Sequence, residues 1–308
     1  MAGELLNGVL IGFGNMGQLH ARCYAALGAS VVVVDPNPCQ REVASAQGLK
    51  CYQALSDFSF GAASFFDLCT PTDLHYQQIR ALSECSRPMF VEKPIVRTSR
   101  QAQSLHDRPP QCQLFVGEVE LYNASLAAFV LDAERPVSIT IERQVNLGFF
   151  LGGEQPWFLD EQRSGGIVLD CMIHDIHLLL VKYGAAMVRH GSGRSRRFSL
   201  VDEVEATLDF GDFRAELITH WTRRDEQSPV RTRIAWRDQA GRRHRLEASD
   251  YGLLQEDASS NPFQVELAAF LEMVQGKRPA DSLVPYLQAV CIAEEIREAI
   301  TGSGSRCG

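Results

Sequence analysis

The stretch NGVLIGFGNMGQLHARCYAALGASVVVVD, residues 7–35, decides the fold of this chain. The apolar runs at its two ends have the composition of buried strands, and residues 15–27 between them have helical spacing. The turn after the first strand reads G-x-G-x-x-G over residues 12–17, and Asp35 ends the second strand. A strand, a glycine-rich turn, a helix, a second strand and an acid in this order predict a dinucleotide-binding βαβ unit.

Each glycine of the turn has its own predicted task. Gly12 permits the tight turn, Gly14 lets the backbone approach a pyrophosphate, and Gly17 lets helix and strand pack closely. The helix that follows offers free N–H groups and its positive dipole end to the phosphates. Asp35 is expected to accept hydrogen bonds from ribose hydroxyls, and its charge would repel a 2′-phosphate. The predicted cofactor is therefore NAD, with NADP as the alternative.

Strand-like and helix-like segments alternate from this unit to about residue 119. Further apolar strands are predicted at 64–71, 88–94 and 112–119, and further helices at 38–47, 73–84 and 98–107. Short β-branched strands that alternate with helices indicate a parallel sheet covered on both faces. We therefore predict an α/β, Rossmann-type, doubly wound domain over residues 1–119.

The pattern changes after about residue 135. Four segments show the period-two alternation of strands with one covered face, namely 136–145, 203–210, 213–222 and 229–236. DQAG at 238–241 is typical of a turn to a further strand, and helices are predicted at 262–275 and 284–300. We predict a second, α+β domain over residues 120–308, with a large, mostly antiparallel sheet, for substrate binding and oligomerisation. Its last helix can pack back on the first domain.

Length, composition and charge narrow the functional classes. The 308 residues are enough for two domains, and 45% hydrophobic with 22% charged residues is ordinary globular composition. A net charge of −8 does not favour nucleic acid or an anionic membrane as a partner. No apolar run approaches the roughly 18–20 residues of a membrane helix, and no signal peptide is recognisable. The nine scattered cysteines, without a C-x-x-C pair, indicate reduced thiols and a cytoplasmic protein.

A second stretch, VLDCMIHDIHLLL at 168–180, is apolar yet carries four ionisable groups. Burial of an unpaired charge costs several kcal/mol, so these groups need a purpose. On a helix Asp170, His174 and His177 stand at i, i+4 and i+7 and form one narrow stripe, whereas Asp175 points away from it. A polar stripe on an otherwise buried helix is typical of a cleft wall. The same three residues could bind a metal, but the H-E-x-x-H signature is absent, and we predict no metal.

Two more segments end strands at the edge of the sheet where ligands of open α/β folds bind. They are DLCTPTDLH at 67–75 and FVEKPI at 90–95. Lys93 follows the second of these strands directly. From the residues alone, a structural and a functional role for Lys93 are equally acceptable.

The motifs GFGNMG, CTPTDLH, VEKP and SGGIVLDCMIHDIHLLL, in this order, resemble those of the Gfo/Idh/MocA oxidoreductases, and the resemblance covers nearly the whole chain. It implies three catalytic residues: Lys93, Asp170 and His174. It implies a cofactor site formed by Gly12, Phe13, Gly14, Asn15, Met16, Gly17, Asp35, Cys69, Thr70, Pro71, His75, Glu92 and Lys93. It implies a substrate site formed by Lys93, Trp157, Asp170, His174 and His177.

The resemblance also implies the reaction, a hydride transfer between NAD(P) and a hydroxyl or keto carbon of a sugar, cyclitol or nucleotide sugar. In this hypothesis His174 is the base, Asp170 orients its imidazolium, and Lys93 stabilises the developing alkoxide. His177 stands where many relatives carry Asp, which leaves the substrate open. A non-catalytic dinucleotide-binding sensor or scaffold is the alternative, although a sensor would need the nucleotide site alone. A homodimer or homotetramer that associates through the second sheet is expected.

Overall fold

The first domain contains a six-stranded parallel sheet in the computed structural model, which describes residues 6–57, 61, 63–132, 134–147, 159–222, 229–249 and 261–303. Its strands are β1 (Asn7–Ile11), β2 (Ser30–Val34), β3 (Cys51–Tyr52), β4 (Phe65–Leu68), β5 (Met89–Val91) and β6 (Leu114–Val116). Their spatial order is β3-β2-β1-β4-β5-β6, with every pairing parallel, which is the Rossmann order. The predicted doubly wound fold is confirmed. Strand β3 was not predicted, because two residues are too few to show a period.

Four helices connect these strands: α1 (Asn15–Ala26), α2 (Pro38–Ala46), α3 (Thr72–Leu82) and α4 (Ser99–Asp107). Local sequence signals fix where two of them begin. The Asn37 side chain accepts a hydrogen bond from the Cys39 N–H at the start of α2. At the start of α4, Thr98 and Gln101 form a capping box, each side chain bonding the other's backbone N–H.

The second domain contains another six-stranded sheet. Its strands are β7 (Ser138–Asn146), β8 (Met187–Arg194), β9 (Glu203–Asp209), β10 (Arg214–Thr222), β11 (Val230–Arg237) and β12 (Arg243–Ser249). The order is β12-β11-β7-β10-β9-β8, and only the β7–β10 pairing is parallel, so the mostly antiparallel sheet is confirmed. The predicted turn at 238–241 joins β11 to β12. Strand β8 was not predicted, since its two glycines and mixed polarity hide the alternation.

The central segment of the second domain differs from the single α-helix predicted for 168–180. It comprises α6 (Glu161–Ser164), a π-helical turn (Val168–Met172) and α7 (Ile173–Tyr183). The region Glu161–Tyr183 is long and apolar enough to cross a membrane, the one such helix in the part of the chain described. However, 83% of its most apolar 18-residue segment is buried inside the protein, as is typical of a core helix.

Three further helices, α5 (Ala124–Leu131), α8 (Pro262–Val274) and α9 (Val284–Ser303), complete the α-helices of the described residues. Helix α9 packs on the first sheet. Tyr286, Leu287 and Val290 share one apolar core with strands β1, β4 and β5, and Glu294 accepts a hydrogen bond of 2.8 Å from the Ser99 N–H. The two domains thus share buried surface beside the edge of the first sheet at which its strands end.

Candidate active site

The glycine-rich turn lies between two strand ends because β1 pairs with both β2 and β4. Ile11 lies opposite Val34 on one side and Leu68 on the other, so the residues that follow these three emerge side by side. They are Gly12, Asp35 and Cys69. Gly12 has a φ of 91°, and a Cβ there would lie 2.8 Å from the Cys69 carbonyl oxygen. Only glycine fits this turn without strain.

The other two glycines differ in what surrounds them. A Cβ on Gly17 would lie 2.1 Å from the Gly12 carbonyl oxygen, so the helix can approach the strand only without a side chain. A Cβ on Gly14 would meet no atom within 4 Å. Gly14 therefore borders open space at the N-terminus of α1, next to exposed Asn15 and half-buried Met16. This open cradle before a helix N-terminus fits the pyrophosphate of a dinucleotide.

The Asp35 carboxylate organises the turn from within. Its Oδ2 accepts a hydrogen bond of 2.7 Å from the Phe13 N–H, and its Oδ1 accepts one of 2.8 Å from the Asn37 N–H. Ionised carboxylates have about four acceptor sites, so capacity for ribose hydroxyls remains. Phe13 differs from the prediction, because its N–H is bonded to Asp35 and its ring is fully buried. It supports the turn from the core instead of facing the dinucleotide.

Of the next predicted cofactor residues, Thr70 and Pro71 are partly exposed at the end of β4, where Thr70 donates its hydroxyl to Gln78. The prediction that His75 contacts the cofactor is corrected, because its ring is fully buried. Its nitrogens lie 2.8 Å from the Thr70 carbonyl oxygen and 2.9 Å from the Pro94 carbonyl oxygen. Burial lowers the pKa of His75, and these carbonyls oppose that effect only partly. His75 joins the two loops instead of contacting a ligand.

Behind these loops lies a buried polar network around His20, which the sequence did not reveal. His20 Nδ1 lies 2.8 Å from the Asp67 carboxylate and 3.2 Å from Cys69 Sγ, and its Nε2 lies 3.1 Å from Glu92. Burial alone would lower the pKa of His20, but Cys69 and Asp67 together raise it well above its usual value. His20, Asp67 and Cys69 are also the only described residues whose donor atoms cluster as metal ligands could. Their mutual hydrogen bonds, with one from Tyr24 to Asp67, already pair them.

Lys93 and Asp170 meet across the two domains. Lys93 Nζ lies 2.8 Å from the Asp170 carbonyl oxygen and 3.1 Å from its Oδ1. Burial would lower the pKa of Lys93, but the Asp170 carboxylate raises it, so the side chain is an ammonium at neutral pH. Asp170 was expected to orient His174. In the structure Asp170, which lies in the π-helical turn, holds Lys93 instead.

His174 is held by a residue that sequence reasoning missed. Its Nδ1 lies 2.6 Å from Glu118 Oε1, and His177 Nδ1 bonds the other oxygen of the same carboxylate. Burial alone would raise the pKa of Glu118, but the two imidazoles bring it far below the usual range. A signal was present: Val116 pairs with Val91, so Glu118 and Lys93 both stand two residues past paired strand ends.

The predicted polar stripe therefore does not line the cleft along its whole length. Lys93, Asp170 and His174 keep 21%, 16% and 12% of their side chains exposed, whereas His177 is fully buried. The prediction that His177 contacts substrate is corrected, because Glu118 holds the ring below His174. Asp175 is buried too, as a partner of Arg143. Trp157, the remaining predicted substrate residue, lies outside the described residues.

Comparisons with known proteins agree with this architecture. Residues 6–116 match the Gfo/Idh/MocA oxidoreductase family model with an NAD-binding Rossmann fold, and residues 134–238 match the Gfo/Idh/MocA C-terminal domain. UDP-N-acetylglucosamine 3-dehydrogenase of Acidithiobacillus ferrooxidans is 25% identical over 189 residues, which are 58% of this chain and 55% of that protein. The scyllo-inositol 2-dehydrogenase (NAD(+)) of Bacillus subtilis is 28% identical over 223 residues, 65% of this chain and 63% of that protein.

The chain thus spans less than two thirds of the length of these curated relatives. A solved structure, the WlbA dehydrogenase from Bordetella pertussis in complex with NADH and UDP-GlcNAcA, covers 98% of this chain and is itself covered to 97%. Its TM-score is 0.81 at 17% identity, which shows a shared fold alone. Both family models match in order, the glycine cradle fits a dinucleotide, and the chain belongs to the Gfo/Idh/MocA oxidoreductase family, with an NAD-binding Rossmann domain at its N-terminus.

Proposed function

We propose that the protein is an NAD-dependent dehydrogenase or reductase that acts on a CH–OH group or its keto form. One observation carries the proposal. Lys93 from the first domain contacts Asp170 of the second, four residues before His174, and all three stay partly exposed at the edge where the glycine-rich turn lies. A dinucleotide-binding protein without chemistry would not need an ammonium, a carboxylate and an imidazole gathered there.

Each of the three side chains has a task in alcohol oxidation. Bound NAD supplies the hydride acceptor. His174 takes the hydroxyl proton as general base, and returns it as general acid in the reverse direction. The Lys93 ammonium donates a hydrogen bond to the oxygen as it becomes an alkoxide, and Asp170 holds Lys93 in place.

We propose a polyol, sugar or nucleotide sugar as the substrate class. Relatives named for UDP-N-acetylglucosamine and scyllo-inositol support a ring that carries several hydroxyls. The test measures NADH formation at neutral pH across a panel of cyclitols, free sugars and nucleotide sugars. The reverse direction is tested by NADH consumption with the corresponding keto compounds. We expect turnover with at least one class. No turnover in either direction, with NAD bound, would support the sensor alternative.

We propose NAD as the preferred cofactor over NADP, because Asp35 places a negative charge where a 2′-phosphate would lie. The Asp35→Asn variant removes the charge and keeps one oxygen for the Phe13 N–H. We expect the ratio of NADP to NAD affinity to rise about tenfold, as measured by calorimetry with each cofactor. An unchanged ratio would show that Asp35 supports the turn only.

We also propose a cytoplasmic homodimer or homotetramer in which a second copy covers the outer face of the second sheet. That face carries alternating polar side chains such as Arg214, Glu216 and Arg243, all exposed. The eight cysteines of the described residues are all free thiols, in agreement with a reducing compartment. Light scattering at micromolar concentration tests the assembly, and a monomer would contradict it.

A further inference from the structure

We propose that Glu118 is the positioning residue of His174, and that His177 is the second arm that holds Glu118 in place. The proposal rests on the proposed function in one respect, since it takes His174 as the acid–base group. The proposal concerns the tautomer of the His174 ring. Glu118 keeps a proton on Nδ1 of His174, so that Nε2 is free to accept a proton from the substrate.

The geometry of Glu118 leaves this carboxylate little freedom. It is fully buried, one oxygen bonds His174, and the other bonds His177. Its backbone N–H donates a hydrogen bond of 2.5 Å to Glu266 Oε1 on α8. A carboxylate fixed at both oxygens and at its own backbone has one orientation, and an imidazole bonded to it inherits that orientation.

The hydrogen-bond chemistry fixes the proton positions. An ionised carboxylate accepts only, so both Nδ1 atoms must donate to Glu118. In the neutral His174 ring, Nε2 then carries a lone pair and is the nitrogen that can take a proton from a hydroxyl. His177 Nε2 is buried without a hydrogen-bond partner among the described residues, so a lone pair there avoids burial of an unpaired N–H. The Tyr286 ring packs edge-on against His177 at 5.0 Å.

The charges around the group agree with this role. When His174 takes a proton, Glu118 supplies the compensating negative charge beside it. Glu266 faces Glu118 from α8 and Tyr286 faces His177 from α9, and burial first of all raises the pKa of both, which favours their neutral forms. Burial therefore disfavours a second negative charge near His174 on either of these two residues.

The first experiment compares the Glu118→Gln variant with wild type in the pH dependence of kcat/KM. The amide puts an NH2 donor in place of one of the two carboxylate oxygens, so one imidazole loses its acceptor or must adopt the other tautomer. We expect kcat to fall about 10²- to 10⁴-fold with little change in NAD affinity. The acidic limb of the pH profile of kcat/KM should move about one pH unit lower, because the carboxylate that favours the imidazolium form of His174 is gone. Glu118→Asp should move it back towards wild type.

The matched control is Glu272→Gln, an exposed position on the helix that carries Glu266. It should leave both kcat and the acidic limb unchanged. If Glu118→Gln lowers thermal stability but the limb and kcat stay as in wild type, Glu118 is a packing residue and the proposal is wrong.

The second experiment needs neither turnover nor a folded Glu118 variant. Side-chain ¹⁵N spectra of histidine-labelled protein report which ring nitrogen carries the proton, with His174 assigned by loss of its signals in His174→Ala. We expect the Nδ1–H form for His174 in the neutral ring. An Nε2–H form would overturn the proposal. Because the spectrum is recorded without substrate, this result is decided separately from the substrate panel that tests the proposed function.

Discussion

The cofactor turn and the catalytic helix are built by different means. At the turn, each contact involves a backbone atom: the Phe13 N–H bonds the Asp35 side chain, and Gly12 lies against the Cys69 carbonyl. At the helix, Lys93 reaches Asp170 over 77 residues, and His174 reaches Glu118 over 56. The turn is specified by glycines whose missing side chains can be recognised in a sequence. The helix is specified by partners that only the folded chain brings together.

This difference shows which kind of site can be predicted from the sequence. A glycine at a tight turn can be replaced by nothing else, so its identity carries its function. A buried ionisable residue carries only the statement that a partner exists. Asp170, His174, Asp175 and His177 all have partners, but their partners are Lys93, Glu118 and Arg143, from three other elements.

The largest expected effect is at the helix region, on turnover. Lys93→Met and His174→Ala each remove a group that acts on the reacting oxygen, so we expect kcat to fall about 10²- to 10⁴-fold. NAD affinity should stay within about threefold, since neither group supports the glycine turn. Steady-state rates and calorimetry on the same preparations measure both. Near-normal turnover in either variant would remove that residue from the mechanism.

The next effect separates a family pattern from the partners present in this chain. His177→Asp introduces the residue that the family resemblance leads us to expect at this position, yet here it would place a carboxylate against the buried Glu118 carboxylate. We expect a loss of about 3–5 kcal/mol in the free energy of unfolding at pH 7, measured by urea titration. His177→Gln is the control, because its amide can still donate to Glu118, and it should lose less. A His177→Asp protein as stable as wild type would mean that Glu118 does not depend on His177.

Two alanine substitutions, Gly17→Ala and Gly14→Ala, separate the packing role of the turn from its role in cofactor binding. Gly17→Ala sets a methyl 2.1 Å from a backbone oxygen and should cost about 1–3 kcal/mol of stability. Gly14→Ala meets no atom within 4 Å, so its stability should change by less than about 0.5 kcal/mol. It should still weaken NAD binding about tenfold or more, because the methyl fills the space of the pyrophosphate. Thermal melts with and without NAD distinguish the two, and equal NAD affinity in Gly14→Ala would refute the cradle.

The sequence predicted five of the six strands of the first domain and its glycine turn, because apolar runs and glycine spacing can be recognised within a short segment. Strands β3 and β8 and the π-helical turn were missed, since none of them leaves a period in the sequence. Lys93 and His174 could be proposed from motifs, but their orientation could not, because it depends on Asp170 and Glu118. His177 was placed in the cleft from helical spacing alone, and the 100° rule gives direction around a helix, not depth below the surface.

The smallest effect concerns Glu266, which lies between the two regions and belongs to neither motif. It is almost fully buried and its Oε1 accepts the Glu118 N–H. Burial, with Glu92 and Glu118 nearby, raises the pKa of Glu266 well above its usual value. The folded protein therefore binds a proton that the unfolded chain releases above about pH 4.3. Stability from this group is full below that pH and falls as the pH rises towards the folded-state pKa.

Glu266→Gln keeps an oxygen for the Glu118 N–H and removes the ionisation. We therefore expect the variant to be more stable than wild type at pH 8 and to match it at pH 4. Thermal melts at the two pH values measure the difference, with the exposed Glu272→Gln as the control that should show none. The same gain at both pH values would indicate better packing instead of linkage. A loss at pH 8 would show that the ionised Glu266 stabilises the fold, and that the junction between turn and helix uses its charge.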